Sequence, residues 1–178
     1  MSAVLLVVDM QRAAGRNAAA ESAVARLLAH WRERGNAVVH LRHDSMDPDA
    51  PDAVGGAGHD FLDAARPADG EIVVEHRTAN TFIGTDLMQV LEDTGSHELV
   101  VCGAVLQGAV ESSVRMAHAL GFLCLVPEDA VIAHEVADRT GRRWSADEVR
   151  ALTLANLHGR FASVVNVDAL TAGEGALQ

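Results

Sequence analysis

Asp9 stands at the end of an unbroken apolar run, Ala3–Val8. A carboxylate delivered by so hydrophobic a segment either caps the turn that follows or sits in a site. Next to buried surface its charged form is disfavoured, so its pKa rises and it becomes suited to general acid or base work. His76 occupies the same kind of place, after Val73-Val74-Glu75. It is either a hydrogen-bonded structural residue or, with an ordinary pKa near ~6.5, a proton carrier at neutral pH. The third place is Gly103-Ala104-Val105-Leu106-Gln107-Gly108-Ala109. Its glycines permit a sharp turn, and a helix starting there offers free N–H groups to an oxyanion or carboxylate. The spacing is neither that of a dinucleotide turn nor that of a phosphate loop, and an ordinary strand-to-helix turn has the same pattern.

Other constellations are weaker. His40-Leu41-Arg42-His43-Asp44 holds metal-ligand types, but His40 and His43 fall on opposite faces of an extended strand, which argues against a shared metal. Cys102 and Cys124 each lie within apolar runs, so they read as reduced, inert core thiols of a cytoplasmic protein. All 14 basic side chains are arginine, and tyrosine is absent. No lysine can therefore act as base, Schiff-base former or phosphate anchor, and no phenol can act as an acid.

The elements that place these residues follow from periodicity. Short β-branched runs at Ala3–Val8, Ala37–Arg42, Glu71–Glu75, Glu98–Gly103, Phe122–Val126 and Ser163–Val167 read as strands. Between them lie helical patterns. Ala20–Arg34 carries Val24, Leu27, Leu28 and Trp31 on one face and closes at Gly35. His59–Ala65, Asp86–Asp93, Gln107–Leu120 and Ala146–His158 complete the set, and the small, polar tail Thr171–Gln178 reads as frayed. Strand–helix alternation predicts a three-layer α/β/α domain with a six-stranded parallel sheet and right-handed crossovers. Such sheets place their sites at the carboxyl ends of the strands, where strand order reverses. Asp9-Met10-Gln11, His43-Asp44, His76-Arg77 and Gly103–Ala109 lie at those ends.

Composition removes several function classes. With 178 residues, 49% of them hydrophobic, the chain suits one domain over 1–178 with its own core and no disulfide staples. A net charge of −11 disfavours nucleic acid and anionic lipid as partners. No apolar stretch approaches the ~20 residues of a membrane span, and the start lacks the basic region of a signal peptide. These features lead to the expectation of a cytoplasmic protein that acts on a small molecule.

Val7-Val8-Asp9-Met10-Gln11, Phe82-Ile83-Gly84-Thr85-Asp86-Leu87, Val100-Val101-Cys102-Gly103, Ala119-Leu120-Gly121-Phe122 and Glu128-Asp129-Ala130 together resemble a known family. It is the isochorismatase-like hydrolases, or cysteine hydrolase superfamily, which includes nicotinamidases, N-carbamoyl amidohydrolases and isochorismatases. The resemblance runs from Ala3 to about Val167. It implies a Rossmann-like fold with strand order 3-2-1-4-5-6, no cofactor, no metal, and a homodimer or homotetramer.

It also implies a catalytic set of Asp, Lys and Cys, from which this chain diverges. Asp9 matches the aspartate. The lysine position holds His76, and the nucleophile position holds Ala109. The resemblance places substrate contacts at Gln11, Phe82, Val105, Leu106 and Gly108, and a cis peptide at Ala104–Val105. Without a thiolate no thioester can form, and Ser112 and Ser113 lack a matched base. Isochorismatases proper need no nucleophile: an aspartic acid protonates a vinyl ether carbon and water adds to the cation. The expectation is a hydrolase of a small polar or anionic metabolite that uses Asp9 with His76. The alternative is a catalytically silent relative that binds a metabolite or serves as a structural subunit.

Overall fold

The computed structural model describes residues 3–172. Five main strands, β1 (Val4–Val8), β2 (Val38–His43), β3 (Ile72–His76), β4 (Glu98–Ala104) and β5 (Leu123–Pro127), alternate with the helices α1 (Ala18–Glu33), α2 (Leu87–Thr94) and α3 (Glu111–Ala119). Two-residue strands follow at β6 (Val131–Ile132), β7 (Val136–Ala137) and β8 (Arg143–Trp144). The chain continues through α4 (Ala146–Leu157), β9 (Ser163–Val165) and α5 (Val167–Thr171).

The sheet runs β3-β2-β1-β4-β5-β9, with β6 added beside β4 as a seventh strand. Every pairing within it is parallel. The predicted strand order therefore holds, with β9 as the sixth strand. The seventh strand, and the antiparallel β7–β8 ribbon, come from a segment unassigned from sequence.

β1 is central, and its pleat divides the core. Val4, Leu6 and Val8 point to the side covered by Leu87 and Leu91 of α2, Val114 and Ala117 of α3, and Leu154 and Leu157 of α4. Leu5 and Val7 point to the side covered by Ala20, Ala23, Val24, Leu27 and Trp31 of α1 and Val167 of α5. Both faces are buried, which is why β1 is apolar without alternation. Asn17 caps α1 by accepting from the Ala20 amide. Trp31 donates its indole N–H to the Ala3 carbonyl at 2.8 Å, fixing α1 against the start of β1.

Three boundaries differ from expectation. His59–Ala65 is not a helix: Gln11 and Phe61 form a bridge there, and only Asp63–Ala65 makes a 3-10 turn. The run Ser163–Val167 ends as a strand at Val165, because the Asn166 side chain accepts from the Ala169 amide and starts α5. The predicted helix 107–120 opens with a π-type turn, Leu106–Val110, broken at Gly108. Of the tail expected to fray, Thr171 closes α5, and residues 173–178 lie outside the described residues. Among the described residues, no helix is long and apolar enough to cross a membrane.

Candidate active site

The carboxyl ends of β1, β2, β3 and β4 open on one cavity of about 340 Å³. Asp9, Gln11, His43, Thr78, Val105, Gly108, Ala109 and His134 are among its lining residues. The backbone there is unusual. Asp9 has φ 44°, the one non-glycine residue at positive φ among those described. That is a strained conformation of the kind that clusters at functional sites. Opposite, Gly103 sits at φ 118° in register with Val8, and a Cβ added to it would lie 2.0 Å from the Val8 carbonyl oxygen. Only glycine lets β4 approach β1 this closely, and that approach sets the turn carrying Ala109 beside Asp9. The Ala104–Val105 peptide is cis.

His76 Nε2 lies 2.7 Å from Asp9 Oδ1, and His76 Nδ1 lies 2.8 Å from the Thr78 carbonyl oxygen. A carbonyl only accepts, so Nδ1 carries a hydrogen and donates it. The Nε2–Oδ1 contact then contains a second, shared proton. Burial is the largest influence on Asp9 and raises its pKa, against the lowering effect of His76. Burial alone would lower the His76 pKa, but the hydrogen bond and charge of Asp9, the Thr78 carbonyl and Asp44 together raise it. Both shifts favour retention of the shared proton through neutral pH. The His76 side chain is fully buried behind Asp9, which keeps 14% of its own side chain exposed. Asp9 is thus the member of the pair that reaches the cavity.

The other anticipated residues divide. Val105, Gly108 and Ala109 line the cavity, and Ala109 fills the nucleophile position with a methyl group. Gln11 lines it as well, but its amide is already engaged. Its Nε2 donates to the carbonyls of His43 and His59, and its Oε1 accepts from the His43 amide. Leu106 and Phe82 are not among the residues that line this cavity. Leu106, at the start of the π-type turn, lies fully in the core, and Phe82 packs against the same cluster. The Thr78–Phe82 turn fixes Phe82 there, because its amide donates to Asn80 Oδ1. Ser113 is buried and accepts from the Thr81 amide and hydroxyl, while Ser112 donates to the Ala79 carbonyl. Both hydroxyls are committed within the fold.

Sequence reasoning did not bring in Asp52, Thr78 or His134, and His43 entered as a weak metal candidate and as a strand-end residue with no chemical role assigned. His43 ends β2, so the strand-end rule pointed to it. Asp52 lies in a Pro- and Gly-rich loop with no periodicity, and nothing in the sequence pairs it with His43.

Neither cysteine is near this chemistry. Burial pushes the thiol pKa of both Cys102 and Cys124 up to about 12, which leaves almost no thiolate at neutral pH. Iodoacetamide should leave any native activity unchanged. Complete inactivation of protein that remains folded by circular dichroism would contradict this placement.

Residues 3–168 match the isochorismatase domain family. An isochorismatase family protein of Bacillus subtilis, YddQ, is 32% identical, with 95% of this chain and 98% of that protein covered. A streptothricin hydrolase of Streptomyces noursei is 34% identical over 74% of this chain and 50% of its own length. Among solved structures, an isochorismatase-family protein of Chromobacterium violaceum superposes with TM-score 0.92 at 40% identity, covering 96% of this chain and 92% of that one.

Proposed function

This chain belongs to the isochorismatase family, and from that membership we propose that it hydrolyses a small polar metabolite by acid–base chemistry, with no covalent intermediate. The observation that carries this reading is the 2.7 Å contact between His76 Nε2 and Asp9 Oδ1 beside the cavity that Ala109 also lines. Asp9 delivers the shared proton to the substrate, and His76 holds and replenishes it. Such a route asks for an acid and a water but no thiolate. It is the path of a vinyl ether hydrolase, in which protonated carbon becomes a cation and water adds to it.

The cavity wall favours polar over anionic substrates. Among the described residues no arginine lines it, and the chain has no lysine. A substrate carboxylate would face Asp9 and Asp52 without a fixed cation to pair with. The protein works in the cytoplasm as a homodimer or homotetramer, for which the exposed Leu120, Leu123 and Leu152 provide apolar surface.

The test is a screen of purified protein against vinyl ethers, amides and carbamoyl compounds. The expected result is turnover of at least one class, with intact mass spectrometry showing no adduct in quenched samples. The loss of the nucleophile at Ala109 favours one competing reading, a silent metabolite-binding subunit. Ligand binding in the cavity without turnover of any class would establish that one instead.

A further inference from the structure

Four histidine–carboxylate pairs lie within hydrogen-bond distance: Asp9–His76 at 2.7 Å, His43–Asp52 at 2.6 Å, His59–Asp44 at 2.7 Å and His40–Glu71 at 2.8 Å. The last two serve the fold. Their histidine side chains are 10% and 0% exposed, and neither pair lines the cavity. His43 and Asp52 both line it, with 28% and 24% of their side chains exposed. The acid chemistry of Asp9 and His76 leaves this second pair without a role.

The bonding around His43 suits a base. Its Nδ1 meets the Asp52 carboxylate. A carboxylate only accepts, so Nδ1 bears the hydrogen, and Nε2 of the neutral ring is a lone-pair acceptor. Among the described residues no hydrogen bond engages that Nε2. The carboxylate also stabilises the imidazolium that forms when Nε2 takes a proton, the role an aspartate plays behind a catalytic histidine. The backbone of His43 is held on both sides by Gln11, which accepts from its amide at 2.8 Å and donates to its carbonyl at 3.0 Å. The ring stands 5.3 Å from that of His76, centroid to centroid. His134, the other histidine on the cavity wall, differs: its Nε2 donates to the Ala14 carbonyl, and no carboxylate pairs with it.

We infer that His43, oriented by Asp52, is the general base that activates water in this cavity, facing the Asp9–His76 acid. Water oxygen bonds to the electrophilic carbon of the substrate while His43 Nε2 takes the water proton. The proton shared by Asp9 and His76 goes to the substrate, and no oxidation occurs. Solvent afterwards accepts the His43 proton and returns one to the Asp9–His76 pair. This assignment rests on the hydrolase reading, but it can fail separately from it.

The probe is p-nitrophenyl acetate. Its phenolate leaves without protonation, so the ester reports on the base, whereas the Asp9 acid is read on vinyl ethers and amides. The wild type should accelerate hydrolysis of the ester. His43→Ala should lower kcat by ~10²-fold, and added imidazole should recover part of that loss over and above its own reaction with the ester in enzyme-free and wild-type controls, which a purely structural role would not allow. The Gln11 clamp grips the His43 backbone, so truncating the side chain leaves it in place. Asp52→Asn, which preserves shape, should also lower kcat with KM little changed. His97→Gln, an exposed control, should match the wild type. The inference is overturned by His43→Ala activity within twofold of wild type, by loss without imidazole rescue, by an acetyl group on His43 in quenched samples, or by a wild type inert toward the ester.

Discussion

Replacing His76 with glutamine should lower kcat by ~10²-fold or more, the scale for losing a positioned acid or base. Glutamine can still donate to Asp9 Oδ1 from a similar place, but it cannot carry the shared proton. The pH profile should change with it. In the wild type the His76 pKa is raised above its ordinary 6.5, so the proton needed for catalysis is present through neutral pH. Activity should fall only as pH rises through the elevated value. At the other end, the Asp9 pKa is raised above 3.8, so the pair takes up a second proton, and activity declines, above the pH at which an exposed aspartate would titrate. In His76→Gln the alkaline limb set by the imidazole should disappear. The influences of His76 that lower the Asp9 pKa are also gone, so the proton-donating form is then neutral Asp9, and the residual activity should fall as pH rises through the Asp9 pKa itself. A pH–rate series on both proteins measures this. An alkaline limb that persists unchanged in the variant would show that His76 is not its source.

Gly103→Ala should be the most damaging change to the fold. The added methyl would meet the Val8 carbonyl oxygen at 2.0 Å, and the residue would sit at φ 118°. The Val8 backbone cannot yield, because Val8 is fully buried in the central strand. Backbone strain and overpacking together cost about 3–5 kcal/mol, a large share of the ~5–15 kcal/mol that holds a typical domain. Urea denaturation should show a markedly lower midpoint with an unchanged slope. Any folded remainder should have lost activity, since the same close approach positions Ala104–Ala109 against Asp9. A midpoint shift equivalent to less than about 1 kcal/mol would mean that β4 can move away from β1 freely.

The sheet and its helices were legible because they obey simple periodicities. β1 is apolar on both faces because both faces are covered, and α1 repeats its apolar residues at helical spacing. Asp9 and His76 were legible for a topological reason: they end parallel strands at the same edge, which is where such sheets place their sites. What depended on local backbone geometry was not legible. Leu106 and Val105 are neighbours of similar chemistry, and only the change from extended backbone at Val105 to the turn that begins at Leu106 separates the one in the core from the one on the cavity wall. The His43–Asp52 contact joins a strand end to an aperiodic loop, so spacing along the chain carried no trace of it. Val167 continued an apolar run, and the Asn166 cap, a local hydrogen bond, ended the strand before it.

The central claim is that Asp9 provides the proton for hydrolysis in this cavity. The most direct measurement is the ratio of kcat for wild type to kcat for Asp9→Asn, on the best substrate among vinyl ethers, amides and carbamoyl compounds. Asparagine keeps the size and the hydrogen-bond reach of aspartate but cannot exchange a proton, so the ratio should be ~10² or more. A ratio within twofold of unity, on protein that still binds its ligand in the cavity, would contradict the account.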